Sequence, residues 1–203
     1  QLEYIPAQVK VIEHVRIKYA CQTCATIVSA KKPVSPIPKS MAGASLLAAV
    51  IINKYQYHLP LYRQAQILMT QGIDIPRNTL TNWALQVADA LLPLGKALWQ
   101  QISTTHTLQA DETRVKNLDK KKKGFMWCYS GCDPNKRFVL FAYHDSRSGD
   151  VAAQHLASFS GILQTDGYSG YNALRNKEQV VNIGCFTHCR RKFFEVVQAT
   201  GNK

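Results

Sequence analysis

Thr107-Leu108-Gln109-Ala110-Asp111-Glu112-Thr113-Arg114-Val115 and the later Gly161-Ile162-Leu163-Gln164-Thr165-Asp166-Gly167 are short β-like runs, each delivering one aspartate to a defined place. Leu108, Ala110 and Val115 give the first its apolar content, Ile162 and Leu163 the second, and Gly167 ends it. A carboxylate inside or at the end of a strand is costly to bury unless it is paired or holds a metal. Two on neighbouring strands repel each other, and a shared divalent cation relieves that repulsion. Taken singly, Asp111 reads as a strand-edge residue and Asp166 as a turn-former before Gly; taken together they read as metal ligands.

The chain has 203 residues, enough for one large domain or two small ones with a real core. Lys and Arg number 25 against 13 Asp and Glu, a net charge of +12 that points to a polyanionic partner. Nucleic acid comes first and an anionic membrane surface second. The longest apolar run, residues 41–52, is too short to span a bilayer, and no signal peptide opens the chain. Six cysteines, two of them as Cys21-x-x-Cys24, read as metal ligands or reduced thiols rather than a disulfide framework, so a reducing, cytoplasmic setting is expected. The sequence opens without Met and in mid-pattern, which predicts a piece of a longer protein.

Residues 1–30 read as part of a small zinc-ribbon-like β unit. Val9, Val11 and Val15 lie on a β-prone run, and Cys21 and Cys24 sit at a hairpin tip. Such a knuckle supplies two of four tetrahedral zinc ligands, the others being expected upstream of Gln1. A redox pair and two incidental thiols are the alternatives. Residues 31–39, with three prolines among basic residues, predict an extended linker. Residues 40–103 read as helical. Ser40 can cap a first helix carrying Leu46, Leu47, Val50 and Ile51, and residues 61–69 form a second with Leu61, Ala65 and Leu68 on one face. After the turn at Gly72, a third begins with Arg77, Asn78 and Thr79 and runs on through Leu85, Val87, Leu91 and Leu92. That is the layout of a helix-turn-helix, with the polar start of its second helix facing DNA; an ordinary helical hairpin is the alternative.

Residues 104–203 change period. The Asp111 run, a charged tip at 116–124, a strand at 125–129, a turn at 131–135 and a strand at 137–143 make an antiparallel meander. A helix at 149–159, the Asp166 strand, a short helix near Tyr171, a strand at 180–183 and a basic closing helix complete βββαβαβα. Right-handed crossovers set the fourth strand beside the first, so the two aspartates become neighbours, in the order of a ribonuclease-H-like sheet. The fold class is thus multi-domain α+β.

The chain resembles bacterial transposases of insertion-sequence family 66. The matching residues are Tyr4-Ile5-Pro6-Ala7-Gln8, Lys18-Tyr19-Ala20-Cys21-Gln22-Thr23-Cys24 and Tyr55-x-x-His58-Leu59-Pro60-Leu61-Tyr62-Arg63-Gln64. Gln109-Ala110-Asp111-Glu112-Thr113, Gln164-Thr165-Asp166-Gly167-Tyr168-x-Gly170-Tyr171 and Cys185-x-x-His188-x-Arg190-Arg191-Lys192-Phe193 complete the set in the family's order. The resemblance implies a zinc ribbon, a helical DNA-binding region and a ribonuclease-H-like domain with an Asp, Asp, Glu triad. Its first two acids fall on Asp111 and Asp166, and its glutamate is expected beyond residue 203. Glu195 and Glu112 are not assigned to that role, Glu112 because a regular strand turns it to the opposite face.

The activity that this resemblance implies is metal-dependent strand cleavage and strand transfer on DNA. Two Mg²⁺ or Mn²⁺ ions roughly 3.5–4 Å apart clamp the attacking and leaving oxygens. Asp111 would be expected to bridge both ions and Asp166 to hold one. Zn²⁺ is expected at Cys21 and Cys24 when the upstream knuckle is present. Arg77, Asn78, Thr79, Lys121, Lys122, Arg190, Arg191 and Lys192 are the expected DNA contacts, although the lysine run reads equally as a solvated tip. Cys185 and His188 are auxiliary, either near the site or as a buried thiol and a satisfied histidine. The resemblance implies the element ends and target DNA as partners, with a homo-oligomer expected to assemble on DNA. The rival class is a catalytically inactive DNA-binding fragment or regulator, and a nuclease using the same acids is a third.

Overall fold

A computed structural model of the chain describes residues 1–4, 7–119, 121–134, 136–175 and 177–201. Ile5 and Pro6 of the N-terminal motif, Lys120 of the lysine run and Asn135 of the second turn lie outside the described residues. The described residues form a mixed α+β protein of two compact units, Gln1–Pro93 and Leu94–Lys203. No helix among them is long and apolar enough to cross a membrane.

In the first unit, strands β1 (Lys18–Ala20) and β2 (Ile27–Ser29) pair antiparallel, with Tyr19 opposite Val28. Cys21 and Cys24 occupy the turn between them, closed by the Cys21 N–H donating to the Thr26 carbonyl at 2.9 Å. The strand expected around Val9 to Val15 does not form. Residues 7–17 carry no strand, and Val11 and Val15 stay exposed, because among the described residues no strand faces them to pair their N–H and C=O groups.

Helices α1 (Ala44–Tyr55), α2 (Leu61–Thr70) and α3 (Arg77–Ala90) enclose a core of Leu47, Val50, Leu68, Ile75, Leu80 and Trp83. Ser40 does not cap α1. Its hydroxyl accepts from the Ala42 N–H at 2.9 Å, one turn earlier, and Gly43 takes the cap position. Residues 31–39 form no helix or strand, yet Ile37 is buried in this core, so the proline-rich stretch is fastened at one point. Gln64 is buried among the apolar residues and donates to the carbonyls of Leu59 and Val50 at 3.0 and 3.3 Å. The third helix does not run on through Leu92. Pro93 has no N–H to bond back to Asp89, so α3 closes at Leu91 and α4 (Leu92–Gln100) restarts the helix.

The second unit is built on a mixed sheet of β3 (Thr107–Asn117), β4 (Lys122–Asp133), β5 (Lys136–His144), β6 (Gly161–Thr165) and β7 (Val180–Gly184). Its spatial order is β5-β4-β3-β6-β7. The first three are antiparallel, while β6 joins β3, and β7 joins β6, in parallel. The charged tip is smaller than expected. Lys116 pairs with Lys123 and Asn117 with Lys122, because the backbone ladder continues while the lysine heads reach solvent. Gly161 has φ +132°, and a Cβ there would collide with the His106 carbonyl oxygen, so only glycine lets β6 start this close to β3.

Alternation along the strands decides which face is covered. Leu108 and Ala110, Trp127 and Tyr129, Leu140, Leu163 and Val180 turn to one face, where they pack with Val151, Leu156, Phe159, Tyr171 and Leu174. These come from α5 (Gly149–His155), the 3₁₀ turn Ser169–Tyr171 leading into α6 (Asn172–Arg175), and the connecting loops. The helix expected at 149–159 stops at His155, where a tighter turn puts both Leu156 and Phe159 into the core. Helix α7 (Phe186–Thr200) follows β7.

Candidate active site

Asp111 belongs to the other face of β3. The pairing register matches Thr107 with Ile162, Leu108 with Leu163 and Gln109 with Gln164 and ends there; Asp111 lies two residues further along β3, and Asp166 follows the last residue of β6. On that face the Gln109 amide donates to the Gln164 side-chain oxygen at 2.7 Å, directly before the two acids. β6 ends at Thr165, and Gly167, at φ +87°, turns the chain away and leaves Asp166 at the strand's end. One oxygen of each carboxylate is tied locally. Asp111 Oδ1 accepts the Glu112 N–H at 2.9 Å, and Asp166 Oδ1 accepts the Tyr168 N–H at 2.8 Å.

Beyond the ends of β6 and β7 a cleft of about 730 Å³ opens. Asp111 and Asp166 line it together with Cys185, His188, Arg191 and Lys192, and Glu195 contributes a further carboxylate from α7. His188 Nε2 lies 3.9 Å from Asp111 Oδ2, with the Asp111 side chain 54% exposed and that of His188 26% exposed. The backbone N–H of His188 at the start of α7 lowers the Cys185 thiol below its usual range. Cys128 stands opposite Asp111 on β4; burial first, and the Asp111 charge second, raise its thiol. Among the described residues no three His, Cys, Asp or Glu side chains stand grouped to hold a metal. The donor set is a pair of carboxylates, hard oxygen ligands that suit Mg²⁺ or Mn²⁺ with water and phosphate oxygens completing the shell.

The remaining sequence-derived residues lie elsewhere. Arg190 faces the Phe194 ring, 5.7 Å from its centroid, and does not line the cleft. Lys121 is at the β3–β4 turn and Lys122 at the start of β4. Arg77 and Asn78 are exposed at the start of α3 and Thr79 is half-buried there. Cys21 and Cys24 are exposed thiols in the β1–β2 turn, and Cys24 is lowered to about 7, chiefly by its contact with the Thr26 hydroxyl.

Behind Asp111 lies a group that the sequence did not announce. The Glu112 side chain is fully buried (0% exposed), and its Oε1 receives Arg147 through Nε at 2.7 Å and Nη2 at 2.5 Å. Its Oε2 receives the Tyr171 hydroxyl at 2.7 Å. Burial alone would depress the Arg147 guanidinium, but the hydrogen bond and charge of Glu112 outweigh it and raise it. Burial, then that same carboxylate, push the Tyr171 phenol well above its ordinary range. Arg147 lies in the loop between β5 and α5, and no spacing rule joins it to Glu112.

Residues 39–203 match the profile described as "Transposase IS66 family", and residues 1–25 match "zinc-finger binding domain of transposase IS66". The chain belongs to the IS66 transposase family. Its relatives include "Uncharacterized protein y4jD" of Sinorhizobium fredii (strain NBRC 101917 / NGR234), 36% identical over 99% of this chain and 42% of the relative. "Uncharacterized protein y4qI" of the same strain is 32% identical over 97% of this chain and 39% of its own length. The chain therefore spans about two-fifths of the length of these curated relatives. In the cryo-electron-microscopy structure of a simian T-cell lymphotropic virus intasome in complex with PP2A regulatory subunit B56 gamma, one chain aligns at 12% identity and TM-score 0.34. The alignment covers 49% of this chain and 43% of that one.

Proposed function

We propose that the second unit is a ribonuclease-H-like catalytic core that cuts and joins DNA strands at the ends of an insertion element, with Asp111 and Asp166 as its cation ligands. The observation that supports this reading is the shared cleft: Asp111 on β3 and Asp166 just past the end of β6 both line it, with Arg191 and Lys192 on its helical wall. Mg²⁺ or Mn²⁺ held there supplies Lewis-acid stabilisation to the oxygens of a phosphodiester under attack. The chain's own residues do the rest. Asp111 and Asp166 bind and orient, each with one oxygen tied to its local backbone. Arg191 and Lys192 hold the phosphates beside the acids, a salt-dependent contribution. His188, against Asp111, limits how that carboxylate turns. Glu195 is assigned to the cleft wall and not to the role of the family's glutamate.

Along residues 1–103 the reading is a half zinc ribbon at Cys21 and Cys24 over residues 1–30, a linker at 31–39 and a helix-turn-helix within 40–103, with α3 offering Arg77, Asn78 and Thr79 to DNA. The catalytic region is taken as 104–203. Lys121, Lys122 and Arg190 are assigned as peripheral phosphate contacts, and the working form is a DNA-bound homo-oligomer in the cytoplasm. Iron-mediated cleavage tests the centre. With Fe²⁺ in place of Mg²⁺ and peroxide added, the chain is expected to be cut near residues 111 and 166. Asp111→Asn is expected to abolish those cuts while duplex DNA is still retained in a mobility-shift gel. Cuts that persist in both Asp111→Asn and Asp166→Asn overturn the catalytic reading and leave a DNA-binding regulator.

A further inference from the structure

We infer that Arg147 is a positioning residue for the two aspartates, a clamp that ties the Asp111 strand to the Asp166 loop through Glu112 on one side and Tyr168 on the other. The inference rests on the reading of Asp111 and Asp166 as cation ligands.

The geometry forms one continuous path. Glu112 follows Asp111 on β3 but points to the covered face, where it holds the Arg147 fork at 2.7 and 2.5 Å. The guanidinium lies over the Tyr168 ring, 3.8 Å from its centroid, so charge and stacking act on the same plane. The Tyr168 hydroxyl donates to the Arg147 carbonyl at 2.8 Å, pinning the ring at its far end. The Tyr168 N–H then donates to Asp166 Oδ1 at 2.8 Å. Tyr171 closes the loop by donating to Glu112 while its ring meets that of Tyr168 edge-on at 6.1 Å between centroids.

Stability alone does not account for this arrangement. The Glu112 side chain is fully buried while that of Arg147 is 33% exposed, and in such a pair the attraction is largely offset by the cost of desolvating the carboxylate, so apolar residues of like volume would serve a core as well. What the pair provides is direction: a planar fork fixes Glu112 and a stacked ring fixes Tyr168, each beside a carboxylate whose two-ligand site tolerates little misplacement. Outer-shell partners of metal ligands commonly change affinity by roughly 10–100-fold.

The test is Mn²⁺ binding by the whole chain, read from the electron-paramagnetic-resonance signal of free ion, at a temperature where circular dichroism shows every variant folded. Asp111→Asn defines the signal and is expected to abolish it. Arg147→Lys keeps the charge but loses fork and stack, and is expected to weaken Mn²⁺ binding by roughly 10-fold or more. Tyr168→Leu is expected to do the same, whereas Tyr168→Phe, which keeps the stacked ring and the backbone N–H, recovers most of the affinity. Folded Arg147→Lys and Tyr168→Leu that melt earlier yet bind Mn²⁺ like the unaltered chain overturn the inference and leave the cluster a structural one. Mn²⁺ binding untouched by Asp111→Asn removes the metal reading itself, and the positioning role with it. Should Arg147→Lys fail to fold, Tyr168→Leu against Tyr168→Phe decides alone.

Discussion

The carboxylate of Asp133, at the end of β4, clamps Thr107 at the start of β3: Asp133 Oδ1 accepts the Thr107 N–H at 3.0 Å. Its Oδ2 also accepts the His106 N–H and the Thr105 hydroxyl, both at 2.8 Å. These bonds, the His106 N–H foremost, hold the carboxyl below its ordinary value. A group depressed in the folded state stabilises above its unfolded pKa and loses that contribution as pH falls through the folded one. Asp133→Ala is therefore expected to lower the melting temperature by a few degrees at neutral pH. The difference from the unaltered chain should shrink steadily below about pH 4, as thermal melts across a pH series will read.

Leu163 on β6 is fully buried and stands opposite the fully buried Leu108 on β3, three positions before the acids on those strands. Leu163→Ala leaves a cavity in the sheet's packed face and is expected to cost roughly 2–5 kcal/mol in urea unfolding. A loss well under about 1 kcal/mol would mean that this seam repacks freely.

Gln64 sets the first unit's core apart from a purely apolar one. Its amide serves the Val50 and Leu59 carbonyls from a site that is 4% exposed. Gln64→Leu is expected to destabilise by about 1–3 kcal/mol despite the added hydrophobicity, because it takes a donor from buried carbonyls. A more stable Gln64→Leu chain in denaturant melts contradicts this.

Cys24 Sγ lies 3.1 Å from Thr26 Oγ1, and its thiol is lowered to about 7. Half of it is then thiolate near pH 7, so alkylation by iodoacetamide should rise through a midpoint there. Thr26→Val is expected to move the midpoint up toward the ordinary thiol range, and added Zn²⁺ to slow the reaction. Mass spectrometry of the labelled peptide reads both.

Arg191 and Lys192 reach the cleft while Arg190 faces Phe194. If the first two meet phosphates, replacing either by Ala reduces the slope of log affinity against log salt by about 1 for duplex DNA. Arg190→Ala is expected to change that slope less.

The pattern of the second unit is readable because its rules are local. Alternation of Leu108 and Ala110 with Gln109 and Asp111 declares a strand with one covered face, and Gly167 declares its partner's end. The Cys21-to-Cys24 turn between two strands is equally legible. The features that the sequence hides depend on partners distant along the chain. Ile37 is buried by helices that the prolines around it do not foretell, and the Val9 to Val15 run lacks the facing strand its composition invites. Pro93 is visible, but the apolar residues on either side of it mask the break it causes. The Glu112–Arg147 pair joins a strand to a loop, and neither residue's neighbours give notice of the other.

Adjacent acids facing opposite ways make β3 intolerant of slippage. Shifting it by one position so that Glu112 takes the place of Asp111 would move Asp111 to Ala110's place in the apolar layer, away from Arg147, and turn Glu112 out of the covered face. The Asp111-Glu112 dipeptide thus proofreads the strand's alignment: a misthreaded sheet is penalised by a stranded charge inside and a wrong-length carboxylate outside. Single-residue insertions or deletions between Leu108 and Asp111 should for that reason be purged far more strictly than substitutions there.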